Sequence, residues 1–431
     1  MKSILLSVSP NLIIKDTTGD YDRPALARAV AYWLDKIEEI TDPRPIGICF
    51  GNQTTSFQSV ALLLATFKSG KDYFKVDRVD AIHADPELKL YFPGGVSKIF
   101  VTGPQDYDLN LLNGKITYTD DIRNITASLT YKNRDNLEIL FRYGHFKHAN
   151  TSGTTGNPKI ATTRILFDAM SILTAIEQYV DPEDYCVFQH NMTHVGVHST
   201  AILPAVFGAK VLHFTDAAGW ESAIPNATHS QVFYTTIDHL AMPKNNIRVV
   251  TTGGDFLKPA LIDYLLDSGV ETILDIYGLT EASPPLAIRE IRSQTDAAKP
   301  FKWINKYYGC QIDEMGNIAI IRPDGELYQT SDIGTFDGEN LVYKGRRTGD
   351  KIRFQNILVD APSFKLLFDQ GTQINSYFLD FSVKADFPTI YVMPADYQRA
   401  LDYVKENEVV INVVEVPALP TNGGIKNTRL T

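Results

Sequence analysis

Cysteine is scarce in this 431-residue chain. Cys49, Cys186 and Cys310 are widely spaced and odd in number, which excludes a disulfide framework and a cysteine-based zinc site and makes a reducing cytoplasm the expected location. Long apolar runs are also missing. The longest, such as Val60-Ala61-Leu62-Leu63-Leu64-Ala65-Thr66-Phe67, are far too short to cross a bilayer, so no membrane association is expected. Met1-Lys2-Ser3-Ile4-Leu5-Leu6 imitates the start of a signal peptide, but Pro10, Asn11 and Lys15 interrupt it and no small-residue cleavage site follows. Positive charge is in deficit: 41 Lys and Arg against 51 Asp and Glu give a net charge of −10, which argues against an extended nucleic-acid face. Internal repeats and low-complexity tracts are absent. What is there is ordinary for a globular protein, 44% hydrophobic and 21% charged residues, in a chain long enough to bury a large core and divide into two or three lobes.

The most informative segment is Thr151-Ser152-Gly153-Thr154-Thr155-Gly156-Asn157-Pro158-Lys159. Glycines let a backbone bend so that its N–H groups converge on oxygen, and hydroxyls with a lysine add donors and charge, so the composition suits a polyphosphate. It is equally that of a Ser/Thr/Gly-rich surface turn. The common triphosphatase loop is excluded, because that pattern needs Gly-x-x-x-x-Gly-Lys-Ser/Thr and here Gly153 and Gly156 are three apart. From Arg142 to Arg164 the chain is locally basic, with Arg142, Lys147, Lys159 and Arg164 plus His145 and His148, an island in an acidic protein that is either sensible beside a polyphosphate or a chance cluster.

Periodicity predicts an α/β architecture. Pro24 to Ile40 has helical spacing, Ile46 to Phe50 reads as a buried strand, and Ser56 to Lys68 as a second helix. Lys98 to Val101 is a strand, and Glu138 to Phe141 is a strand expected to run into the phosphate segment. Helices are expected from Ile165 to Tyr179 and Pro259 to Ser268, with buried strands at Ala209 to Phe214, Gln231 to Tyr234 and Arg248 to Thr251. Such alternation implies parallel-rich sheets whose ligands gather beyond the carboxyl ends of the strands. After Pro300 the texture changes to short β segments with turn signals.

In its order of residues the 151–159 segment resembles the phosphate loop of the adenylate-forming superfamily: acyl- and aryl-CoA synthetases, adenylation domains and luciferases. Further segments follow in that superfamily's order. Thr252-Gly253-Gly254-Asp255 resembles its adenine shelf, and Asp275-Ile276-Tyr277-Gly278-Leu279-Thr280-Glu281 its Tyr-Gly-x-Thr-Glu segment. Tyr328-Gln329-Thr330-Ser331-Asp332 is similar to its Tyr-x-Thr-Gly-Asp segment, Gly345-Arg346-Arg347-Thr348-Gly349-Asp350 to its interdomain hinge, and Leu419-Pro420-Thr421-Asn422-Gly423-Gly424-Ile425-Lys426 to its catalytic-lysine loop. The resemblance implies a large N-terminal AMP-binding domain over 1–344, made of parallel-rich sheets flanked by helices plus a reduced β subdomain. A small mobile α+β lid is implied over 345–431.

It also implies a reaction and roles. A small carboxylic acid attacks the α-phosphate of ATP, giving an acyl-adenylate and pyrophosphate. Thr151, Ser152, Thr154, Thr155 and Lys159, with Gly153 and Gly156 between them, would hold the β- and γ-phosphates. Glu281 would ligate Mg²⁺, a hard carboxylate for a hard ion, and Thr280 would donate to the α-phosphate. Gly253, Gly254, Asp255 and Gly278 would shape the adenine slot, Tyr277 would stack on the base, and Asp275, in place of a frequent Asn, would accept from the adenine amino group. Asp332 would accept from the ribose hydroxyls. Arg346 and Arg347 both qualify for the ribose contact. Lys426, displaced by the inserted Ile425, would bridge carboxylate and α-phosphate.

His190, His194 and His198 have helical spacing that suggests a zinc motif, but the catalytic Glu of that motif and an acidic third ligand are missing. The resemblance instead puts His194 beside the carboxylate pocket, with His198 a structural histidine. No acid stands between Asn191 and Leu203 to pair with a substrate ammonium, so an aliphatic or aromatic acid is expected rather than an α-amino acid. For the acceptor, the resemblance implies CoA or the phosphopantetheine of an acyl carrier protein. Asn356, where CoA-forming relatives carry a Gly, leaves open transfer to an amine or hydroxyl, and an inactive nucleotide-binding homologue is the third possibility.

Overall fold

The computed structural model describes residues 2–50, 56–76, 88–89, 94–102, 116–118, 136–151, 159–189, 195–232, 245, 247–254, 257, 259–314, 316–346, 351–354, 357–372, 374, 376–380, 388–417 and 425–428. Two compact units divide the chain, one from residues 1–151 and 158–308, the other from 309–431. Residues 345–431 fall within the second unit, together with the β segments that precede them.

Among the described residues, the first unit holds two large sheets. One runs in the order Lys159–Arg164, Phe146–Thr151, Tyr73–Val76, Ile46–Phe50, Ile99–Thr102, Ile116–Tyr118, parallel throughout except at the first pair. All five residues of Ile46–Phe50 are buried, as expected of a parallel strand covered on both faces. The helices Arg23–Glu38 and Ser56–Ser69 pack together. The first is started by Asp22, whose side chain accepts from the Ala25 amide, with Pro24 in its first turn. Its apolar stripe buries Trp33 edge-on to Phe100, 5.9 Å between rings. The Glu138–Arg142 strand does not lead into the phosphate segment. It pairs antiparallel with Ser3–Ser7, the chain turns at Tyr143 and Gly144, and Phe146–Thr151 makes the approach instead. Arg164 fixes that turn by stacking on Tyr143 and Phe146, at 3.8 and 4.8 Å from the ring centres.

Nine strands of the first unit form the second array, in the order Phe301–Trp303, Ala287–Ile291, Thr272–Tyr277, Val249–Gly253, His229–Gln231, Tyr185–Phe188, Val211–Phe214, Ile13–Asp16, Gly19–Asp22. The middle is parallel and both flanks are antiparallel. Trp220, Ile224, Val250 and Ile273 fill the core on one side together with Ile262 and Leu265 of the Pro259–Ser268 helix. At the amino ends of three neighbouring strands, Asp184 accepts from Thr228 Oγ1 at 2.7 Å, the Asp181 amide at 2.7 Å and Arg248 at 2.6 Å. This staple leaves the carboxyl ends to carry the glycine-rich turns.

The second unit begins with an antiparallel meander, Gly309–Ile312, Asn317–Ile321, Leu327–Phe336 and Asn340–Arg346. It continues through a Lys351–Phe354/Ile357–Asp360 hairpin. A four-stranded sheet follows, Asn412–Glu415, Thr389–Val392, Ser376–Asp380 and Ile425–Thr428, with Phe364, Phe368, Tyr377, Ile390 and Ala400 in its core. Among the described residues, no helix is long and apolar enough to cross a membrane.

Candidate active site

Parallel register sets the first wall of the site. Val249–Gly253 pairs with Thr272–Tyr277 so that Thr252 lies opposite Asp275 and Gly253 opposite Ile276. Gly253-Gly254 and Tyr277-Gly278 therefore leave the sheet side by side at its carboxyl edge, where ligands of such sheets collect. A Cβ on Gly253 would lie 2.6 Å from the Ile276 carbonyl oxygen, so only glycine allows this approach. Gly254 is exposed, has φ +88° and would meet nothing within 4 Å. It forms an open ledge with bare backbone. The Tyr277 side chain is buried at 6% exposure, edge-on to Phe301 at 6.2 Å.

A 3₁₀ turn, Thr280–Ala282, follows directly. Ser283, in the left-handed region at φ 44°, reverses the chain, and its carbonyl accepts from Ser171 Oγ on the Ile165–Tyr179 helix. A Cβ on Gly278 would lie 2.3 Å from Pro284 Cβ, so this turn closes tightly on itself. Thr280 and Glu281 are half-buried, and Glu281 has no ion pair among the described residues. The Lys159–Arg164 strand packs beside this turn. Thr151 and Lys159 are directly opposed in an antiparallel pair, so both ends of the phosphate segment are held in register and its outgoing strand lies next to Glu281. Ser152 to Pro158 themselves, hence Gly153, Thr154, Thr155 and Gly156, lie outside the described residues, as do His194, Asp255 and Arg347.

Asp275 is buried, and Arg289 on the antiparallel neighbour strand stands directly opposite it, donating from Nη2 to Oδ2 at 2.5 Å. Burial pushes the Asp275 carboxyl up to about 6, while the Arg289 charge and hydrogen bond pull against that rise. Nothing in the sequence singled out Arg289. An arginine in the strand after the Tyr-Gly-x-Thr-Glu segment was the available signal, readable only once the pairing register is known.

The second unit carries the other expected residues. Asp332 is 2% exposed, its amide donates to Thr330 Oγ1 at 2.9 Å, and it lies opposite Arg346 in the Leu327–Phe336/Asn340–Arg346 pair. The acidic and basic residues expected at the ribose thus share one ladder position. Lys426 is in the Ile425–Thr428 strand, opposite Phe378. Near the expected carboxylate pocket, His198 is buried in a π turn, His198–Ile202, edge-on to Phe50 at 5.5 Å.

The described part of the site fits a magnesium nucleotide. Mg²⁺ keeps most of its waters and takes one or two carboxylates plus phosphate oxygens, so a half-buried Glu281 with no ion pair among the described residues suffices. No group of three or more His, Cys, Asp or Glu that could cage a metal occurs among the described residues. The open Gly254 ledge and the close-packed Gly253 and Gly278 fit a flat ligand lying against backbone.

Comparisons with known proteins bear on the family and the fold. Residues 150–328 match the family model for AMP-binding enzymes. The fold is that of O-succinylbenzoate coenzyme A synthetase (MenE) from Bacillus subtilis in complex with AMP, at TM-score 0.64 and 16% identity over 96% of this chain and 93% of that one. ATP-bound MatB from Rhodopseudomonas palustris is similar at TM-score 0.61 and 16% identity, over 96% and 93%. The amide bond synthetase McbA from Marinactinospora thermotolerans is similar at TM-score 0.57 and 16% identity, over 96% and 94%. No curated protein matches the sequence.

Proposed function

We propose that this chain, which matches the AMP-binding enzyme model over residues 150–328 and shares its fold with an AMP-bound coenzyme A synthetase, is an adenylate-forming enzyme that activates a small carboxylic acid with ATP and passes the acyl group to a thiol, that of CoA or of a carrier-protein phosphopantetheine. One observation carries this reading. Gly253-Gly254, Tyr277-Gly278 and Thr280-Glu281 converge at the carboxyl edge of two adjacent parallel strands, beside the strand that leaves the 151–159 segment.

In the first step a carboxylate oxygen of the acid attacks the α-phosphorus. A new O–P bond forms, the bond from the α-phosphorus to the bridging oxygen breaks, and pyrophosphate departs with that electron pair. No protein nucleophile is needed. The demand is for positioning and charge neutralisation. Thr151, Ser152, Thr154, Thr155 and Lys159 hold the departing phosphates and Thr280 donates to the α-phosphate. Tyr277 lines the base slot and Asp332 takes the ribose hydroxyls, with Arg346 or Arg347 beside it. Lys426 neutralises charge between carboxylate and phosphate. Glu281 would hold Mg²⁺, which neutralises phosphate charge. In the second step the thiol, its proton lost to solvent, attacks the acyl carbonyl as thiolate: a C–S bond forms, the bond from the acyl carbon to the phosphate oxygen breaks, and AMP leaves with that electron pair.

The absence of an acid between Asn191 and Leu203 leaves a substrate ammonium without a partner, which supports an aliphatic or aromatic acid. A second acceptor reading rests on Asn356, bulkier than the glycine expected in a thiol tunnel, and on the fold shared with an amide bond synthetase: the acyl-adenylate would then go to an amine. Acceptor-dependent AMP release, measured with the best acid and with CoA, a phosphopantetheinylated carrier or a simple amine in turn, separates them. The thiol reading expects release with CoA or carrier. Release with the amine alone would replace it by the amide reading.

A further inference from the structure

We infer that Arg289 is a positioning residue for the base: it aims the Asp275 carboxylate at the exocyclic amino group of adenine and keeps that carboxylate an acceptor. The inference rests on the nucleotide reading above and concerns a residue that no motif of the chain contains.

The Arg289 guanidinium is held from three directions. Nη2 donates to Asp275 Oδ2 at 2.5 Å, Nη1 donates to the Ala297 carbonyl at 2.5 Å, and the group stacks 4.5 Å from the centre of the Phe301 ring. Phe301 in turn meets the Tyr277 ring edge-on. Strand alternation places Asp275 and Tyr277 on one face of their strand, and the antiparallel register puts Arg289 opposite Asp275 and Ala287 opposite Tyr277. Arg289, Phe301 and Tyr277 are thus linked in one block with the carboxylate, at the edge where the base slot opens.

The pair is a poor device for stability alone. Arg289 Nε is buried without a hydrogen-bond partner among the described residues, and an apolar pair of similar volume often does as well as a buried ion pair or better. What the guanidinium supplies is direction and charge state. An ionised carboxylate only accepts hydrogen bonds, whereas a protonated one also donates, and burial without Arg289 would favour the protonated form. Thr252, opposite on the other neighbouring strand, is neutral, so Arg289 is the charged group that faces Asp275 from the strands on either side.

The test is equilibrium binding to the full chain of AMP and of purine ribonucleoside 5′-monophosphate, which lacks only the amino group. Wild type should lose about tenfold to hundredfold in affinity without that group, the range for a hydrogen bond to a charged partner. In R289M and D275L the loss should shrink to about threefold or less. R289K should keep most of it, and in R289M it should return as pH is raised and Asp275 ionises. D275N keeps an acceptor at the same place and should retain part of the discrimination, which preserves the test if R289M folds poorly. Equal losses for both nucleotides in every variant, or a wild type indifferent to the amino group, would overturn the inference. Because the assay needs no acid, discrimination without any acyl activation would sink only the functional reading. No nucleotide binding at all would sink both.

Discussion

Gly253 and Gly254 are neighbours with different physical reasons to be glycine. A methyl group on Gly253 collides with the Ile276 carbonyl at 2.6 Å, and backbone cannot swing aside as a side-chain tip can. G253A should therefore force the paired strands away from each other, costing about 1–3 kcal/mol of stability and weakening AMP binding. Gly254 has open space, and its constraint is the backbone angle of +88°. G254A should cost about 1 kcal/mol without disturbing the neighbouring strand. Denaturant titrations of the two variants, with AMP binding in parallel, check the contrast. Equal losses would mean that the close approach is not what Gly253 serves. The double glycine itself was plain in the sequence. Which of the two is packed and which is open depends on register and emerges only from the fold.

At the scale of elements, helices were the most legible part. Arg23–Glu38 and Pro259–Ser268 each turn an apolar stripe inward, and that period survives in the sequence, whereas Ser56–Ser69 and Ile165–Tyr179 are buried on nearly every face and stand out as long apolar runs. The Phe146–Thr151 and Lys159–Arg164 strands were not foreseen because they carry polar residues into the interior. Lys147, 3% exposed, is neutralised by Asp168 of the following helix, itself 3% exposed, at 2.5 Å. Twenty-one residues separate the two, so no local pattern announces the pairing. Removing one partner strands a buried charge. K147M should cost about 3–5 kcal/mol, and K147M/D168L should recover most of it, measured by urea unfolding. If the double variant were no more stable than the single one, the pair would contribute more than charge compensation to this hairpin.

For the whole molecule, acidity should act partly through His229, fully buried beneath the Asp184 staple. Burial lowers its ring to about 4, with Asp184 opposing and Arg248 assisting that shift. The unfolded chain protonates near 6.5 while the folded one does not, so this contribution is complete above 6.5 and is lost as pH falls from 6.5 towards 4. H229L should flatten the fall of the melting temperature over that window. An unchanged slope would assign acid sensitivity to other groups. The segments expected to form the site stand out along the chain because each is a short run with its own chemistry. Arg289 does not, because its role exists only across a strand pair.

Acid-dependent exchange of labelled pyrophosphate into ATP tests the central claim most directly, since it reads adenylation before any acceptor is involved. The wild-type chain should exchange with at least one aliphatic or aromatic acid. E281Q, which removes a charge without an ion pair among the described residues, should fold normally yet exchange about 10²–10³-fold more slowly. A wild type that binds AMP but exchanges with no acid, or an E281Q variant that exchanges at the wild-type rate, would contradict the account.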